Sequence, residues 1–173
     1  RDPRLIEVIL RESRRIVRMD RGVLVTETRH GWVCANAGVD QSNVDADMVA
    51  LLPEDSDRSA RQIREKLRTL IGGDVHVIIA DTFGRPWREG LVNIAIGVAG
   101  FAPLKSYLGD RDPAGRPLQA TILAIADELA GAAEPVMGKV DRIPAGLVGG
   151  LPLAASEEGS KALLRDPARD LFR

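Results

Sequence analysis

Apolar positions return along the chain first at a helical period and then at a strand period. Leu5, Ile6, Ile9, Leu10, Ile16 and Val17 recur at three-, four- and seven-residue spacing, which predicts an amphipathic helix running to about Val17. Asp2 is placed to cap it, and Pro3 suits its first turn. Gly22 and the pair His30-Gly31 then punctuate two β-prone stretches, Val23 to Thr28 and Trp32 to Ala35, read as a hairpin or as two adjacent strands. From Asp57 to Leu70 the period is helical again, with Ile63, Leu67 and Leu70 on one face of a charged helix that Gly72-Gly73 ends. The apolar run Val75 to Ala80 follows as a buried strand, so this segment reads as helix, glycine, strand in the manner of an α/β protein.

The second half is more broken. Leu91 to Gly100 is apolar and β-branched and predicts another buried strand, and Tyr107 to Leu118 is a loop by its Gly, Asp and Pro content. A helix is expected from about Gln119 to Ala132, with Ile122, Ile125, Ala126 and Leu129 toward the core. "PAGLVGGLPL" reads as a short strand with breakers, and the tail from Ser156 as a last short helix with a polar end. No repeat, heptad array or low-complexity tract interrupts this order.

Composition narrows the class. The 173 residues are 45% apolar and 28% charged, enough to bury a core in one domain or in a large piece of a bigger one. Twenty-four basic residues against 25 acidic ones, with 3% aromatics, leave no basic footprint or stacking platform, so nucleic acid is not an expected partner. Cys34 stands alone, which excludes an intrachain disulfide framework and fits a reducing cytoplasm. No apolar run is long enough to span a membrane, and no signal peptide is read. The chain opens on Arg1 rather than Met, directly at a helix, so further sequence upstream is expected.

Candidate chemistry concentrates in two places. "DTFGRPWREG" (Asp81 to Gly90) follows the run "VHVIIA", and a carboxylate at the end of a buried strand is where a metal ligand or catalytic group is held firmly yet accessibly. Asp81 fits that description; the alternative is an aspartate capping a turn. Asp40, in "CANAGVDQSNV", heads a cluster of oxygen-bearing residues with Gln41, Ser42 and Asn43. Two such carboxylates suit a hard divalent cation that keeps water or phosphate in its other positions, the alternative being an Asx-rich turn. Arg85 and Arg88 near Asp81 suit phosphate or carboxylate substrates by bidentate bonding, or else form surface salt bridges, and Trp87 reads as a packing residue. No Walker loop, dinucleotide fingerprint or H-E-x-x-H is present, and His30 and His76 are too few for a histidine cage.

Four blocks taken in order, "CANAGVDQSNV", "DTFGRPWREG" with "NIAIGVAG", "MGKVDRIPAGLV" and the ending "DLFR", closely resemble the coenzyme F-420-0:L-glutamate ligases, or F-420 gamma-glutamyl ligases. The resemblance runs from the "DPRLIEVILRES" helix to the last residue. It implies a GTP-dependent enzyme that joins L-glutamate to the lactyl carboxylate of the deazaflavin F-420-0 and then adds gamma-linked glutamates. It also implies magnesium or manganese, potassium as a further ion, and a homodimer with an intertwined α+β fold. On the family's pattern Asp40 binds a metal and Asn43 contacts GTP, Asp81 and Thr82 bind the metals, and Met137, Gly138 and Lys139 belong to a late nucleotide segment. Relatives carry a glutamine metal ligand near the position of Lys139 and an arginine near that of Gly149, and a segment upstream of the first helix that this chain lacks. Residues 1–173 are thus expected to form an N-terminally truncated ligase-like domain, with a non-catalytic nucleotide- or deazaflavin-binding module as the other reading.

Overall fold

The computed structural model describes residues 2–170. Helices and antiparallel sheets share the chain, which makes the fold α+β. The described residues gather into two compact units, one running to Glu54 and including Phe83–Leu91, the other formed by Asp55–Thr82 and the chain from Val92 onward.

In the first unit, α1 (Pro3–Glu12) starts as expected: the Asp2 carboxylate accepts from the Arg4 N–H at 2.9 Å and Pro3 occupies the first turn. It stops earlier than the periodicity suggests. The Ser13 hydroxyl donates to the Ile9 carbonyl at 2.6 Å, Ser13 turns extended, and Ile16 and Val17 lie on β1 (Ser13–Asp20) instead of on the helix. Tertiary pairing overrides the helical spacing here, since β1 runs antiparallel to β2 (Val23–Thr28). Arg21 and Gly22, at φ 47° and 79°, make the tight turn whose twist matches that of paired strands. β3 (Val33–Ala35) completes the sheet in the order β1-β2-β3. Ile9, Leu24, Ala37 and Val39 form the core, covered by Leu5, Ile6, Val8 and Val49. Glu27, buried in this sheet, is met by Arg15 Nε at 2.7 Å.

The second unit is built on α2 (Ser56–Ile71), capped by Asp55 and closed by Gly72 in the left-handed conformation. The face that packs is not the one the apolar spacing predicts. Ser56 and Ala60 are buried, whereas Ile63, Leu67 and Leu70 are 44%, 37% and 79% exposed. The reason is a close approach: a side chain at Gly97 would run into the Ser56 backbone, so the helix meets the sheet through its smallest residues. β4 (Val77–Arg85) and β5 (Arg88–Phe101) are neighbours joined by Pro86 and Trp87, a connection only antiparallel strands permit, so the α/β reading of this segment is corrected. β8 (Ala155–Ser156) adds to β5, after β6 (Lys105–Ser106) and β7 (Ile122–Leu123) have paired with each other.

α3 spans Ile125–Met137, not Gln119 to Ala132, because Ile122 is taken into β7 and is 47% exposed there. Ala95, Val98, Phe101, Ala126 and Leu129 form this unit's core, with Ile78, Ile125, Leu153 and Leu163 against it. No strand forms over residues 144–153, and the expected tail helix is two 3-10 turns, Ser160–Leu163 and Pro167–Arg169. The last three residues of "DLFR" lie outside the described residues.

Candidate functional site

Around Asp40 the chain turns sharply. Asn36, Ala37 and Gly38 all have positive φ, at 53°, 56° and 71°, and a side chain at Gly38 would fall 2.7 Å from Leu52. Asp40 then exchanges backbone hydrogen bonds with Ala50, at 3.0 Å and 2.8 Å. Its carboxylate, on the exposed side of this bridge, accepts from the Ser42 N–H at 2.9 Å and from the Ser42 hydroxyl. That is the Asx turn foreseen as the alternative, and it also holds the carboxylate in one orientation. Asn43 follows at φ 57°, a left-handed position that asparagine tolerates. Arg85 and Arg88 belong to the same unit. Arg85 donates to the Glu89 carbonyl at 2.6 Å, across the turn, while its buried Nε has no hydrogen-bond partner. Trp87, at φ 57° and 81% exposed on the turn, is not the packing residue expected.

In the second unit Asp81 does not end its strand. β4 continues through Thr82 to Arg85, and the "DTFGRPWREG" stretch is the distal half of a hairpin. A regular strand sends consecutive side chains to opposite faces. The Asp81 carboxylate instead bends along the strand to accept the Thr82 N–H at 2.8 Å. Both are half-buried. The Thr82 hydroxyl donates to Asn93 Oδ1 at 2.9 Å, and Asn93 Nδ2 donates to Glu134 Oε2 at 2.6 Å. Asn93 is 6% exposed, so this chain of bonds runs from the sheet into α3.

Two turns earlier in α3, Asp127 accepts from the Ala95 N–H at 2.9 Å. Burial pushes its carboxyl above the ordinary value, partly offset by that hydrogen bond. Asp127 and Glu134 therefore hold the β5 segment 93–95 from one helix. Met137 and Gly138 stand at the end of α3, Gly138 at φ 63° as its cap, and Lys139 is exposed just beyond. Asn93 and Glu134 were missed from the sequence. Asn93 had a signal, a lone polar residue inside an apolar strand; Glu134 had none.

Among the described residues no three His, Cys, Asp or Glu side chains gather into a metal cluster, and no helix is long and apolar enough to cross a membrane. Within the second unit the oxygen-bearing side chains beside Asp81 and Thr82 are carboxylate, hydroxyl and amide, a hard donor type.

Comparison with known proteins connects these residues to a family. A family model described as "F420-0:Gamma-glutamyl ligase" matches residues 1–150. The chain is 53% identical to a "Coenzyme F420:L-glutamate ligase" of Methanopyrus kandleri, covering 100% of this chain and 71% of the relative. It is 49% identical to the protein of the same name from Methanothermobacter thermautotrophicus and 43% to that of Methanocaldococcus jannaschii, in each case over 100% of this chain and 70% of the relative.

Proposed function

Because the chain belongs to the F-420-0:gamma-glutamyl ligase family, a family of enzymes, we propose that it joins L-glutamate to the lactyl carboxylate of coenzyme F-420-0 and extends the product with gamma-linked glutamates, with GTP cleaved to GDP and phosphate. The observation that carries this reading is the identity to relatives named coenzyme F420:L-glutamate ligase, sustained over the whole chain.

The chemistry sets what the site must do. A free carboxylate is a poor acyl donor, so an oxygen of the lactyl carboxylate attacks the γ-phosphorus of GTP, GDP leaves, and an acyl phosphate results. The glutamate amine then attacks the acyl carbon, gives up a proton, and phosphate departs with the former carboxylate oxygen. Asp40, Asp81 and Thr82 are the residues that would hold magnesium or manganese, whose charge neutralises the phosphates and aligns in-line transfer. The donor set fits such an ion: the oxygens are hard, and Thr82 has already given its one hydroxyl proton to Asn93. Asn43, Met137, Gly138 and Lys139 bind the nucleotide on this reading. Arg85 and Arg88 receive the phosphodiester of F-420-0 or the incoming glutamate, and the buried, unpartnered Arg85 Nε supports a donor held in reserve for an anion.

The protein works as a homodimer on the same reading. The exposed Ile63, Leu67 and Leu70 of α2, spaced along one helix face, support an apolar contact surface for a second copy. Sedimentation equilibrium of the chain at micromolar concentration checks it, and a monomer there would refute it. The activity is tested by mass spectrometry after incubation with F-420-0, L-glutamate, GTP and manganese. Glutamyl additions that need GTP and vanish in Asp81→Asn support the ligase. Folded protein that forms no product counts against it and favours a binding module.

A further inference from the structure

We propose that Asn93 and Glu134 act as a positioning relay that fixes how Thr82 presents its oxygen to a divalent cation. The inference rests on the metal-site reading given above and concerns residues outside the candidate ligand set. Its basis is the directionality of three linked groups. A carboxylate accepts hydrogen bonds and donates none, so the Asn93 amide must turn its Nδ2 toward Glu134, at 2.6 Å. That choice places Oδ1 toward Thr82, 2.9 Å away, where it can only accept. Thr82 has a single hydroxyl proton and spends it on Asn93. Its lone pairs are then left for a cation, and its proton cannot point at one.

Burial makes the orientation persist. Asn93 is 6% exposed, so water does not compete freely for either end of the amide. The supporting helix is itself tied to the strand, through Asp127 and the Ala95 N–H at 2.9 Å, so Glu134 is held on a rigid element. Replacing the Glu134 carboxylate by an amide removes the instruction. A glutamine can donate as well as accept, Asn93 can reverse, and the Thr82 hydroxyl can turn its proton outward.

The test uses the full chain and manganese alone, with free Mn2+ followed by electron paramagnetic resonance. Glu134→Gln is expected to weaken Mn2+ binding about tenfold, the low end of what outer partners of metal ligands contribute. Thr82→Val is expected to weaken it at least as much, and the double variant Thr82→Val with Glu134→Gln no further than Thr82→Val alone, because the relay acts only through that hydroxyl. Asn93→Leu is run through the same cycle as a second variant and is expected to match Glu134→Gln; circular dichroism confirms that each variant is folded. If Asp81→Asn weakens binding while Glu134→Gln changes it less than about twofold, or adds in full to Thr82→Val, the relay is overturned and the metal site stands. If Asp81→Asn leaves Mn2+ affinity unchanged, the metal site fails and the relay with it.

Discussion

Asp57 joins three segments that are far apart in sequence, and removing its side chain should loosen the second unit more than any surface change. Its Oδ1 accepts from the Val98 N–H and from the Ser160 N–H, both at 2.8 Å, and so links the first turn of α2 to β5 and to the late 3-10 turn. Val98 and Ser160 are 1% and 3% exposed, so water cannot easily replace the lost acceptor. Each buried N–H left unsatisfied costs about 1–3 kcal/mol. Loss of a negative charge at a helix N-terminus adds about 0.3–1 kcal/mol. Asp57→Ala should therefore cost about 2–7 kcal/mol, a large part of the roughly 5–15 kcal/mol that holds a typical domain. Asp57→Asn keeps an oxygen in the accepting position and should cost about 2–3 kcal/mol, about 1 kcal/mol for each of the two bonds that passes from a charged to a neutral acceptor plus the lost helix-end charge. Urea unfolding at pH 7, followed by circular dichroism, reads both. An Asp57→Ala midpoint within about 1 kcal/mol of wild type would refute the bridging role, and equal losses in the two variants would assign the effect to charge instead of to the acceptor.

Other residues give further tests. Asp127 has its folded-state pKa raised, so its burial destabilises the fold once the pH rises above the ordinary aspartate value of 3.8, as the unfolded chain releases the proton first. Asp127→Asn, which can still accept from the Ala95 N–H, should melt higher than wild type at pH 7, with the gain disappearing below about pH 4; a gain independent of pH would contradict the assignment. Gly38→Ala meets both a φ of 71° and the Leu52 side chain, and a loss of about 1–3 kcal/mol is expected from thermal melts, with an unchanged midpoint refuting the strain. Arg88→Ala should raise KM for F-420-0 or for glutamate about tenfold, the loss of one charge-assisted contact; reduced kcat with both KM values unchanged would remove Arg88 from substrate binding.

The features that could be read ahead of the structure are those whose cause is local. The Asp2-Pro3 start of α1, the Gly72 stop of α2 and the Val23–Thr28 strand each rest on the chemistry of a few neighbouring residues, and each stands where expected. Where distant contacts decide, the reading went astray. Ile16 and Val17 continue a helical spacing, yet β2 claims them as a strand partner, and the β-branched pair suits that outcome. Ile63, Leu67 and Leu70 define an apolar face that the chain's own fold leaves exposed, because α2 approaches β5 where Ser56 meets Gly97. Asp81 reads as the end of a strand because the apolar run stops at Ala80; pairing across the Pro86-Trp87 turn carries β4 on to Arg85. For the candidate site, Asp81 and Thr82 stand out in the sequence through the motif they open. The Asn93–Glu134 bond joins positions 41 residues apart, and no local pattern announces it.

The most direct measurement of the proposed reaction follows one oxygen atom. F-420-0 labelled with 18O in its lactyl carboxylate is incubated with the protein, GTP, L-glutamate and manganese, and the released phosphate and the glutamylated product are analysed together by mass spectrometry. Activation through an acyl phosphate predicts one 18O in the phosphate released with each first glutamate, whereas the gamma-linked additions that follow release unlabelled phosphate because their activated carboxylate comes from unlabelled glutamate. Monoglutamylated product formed with unlabelled phosphate, or GTP cleavage with no amide formed, would contradict the account.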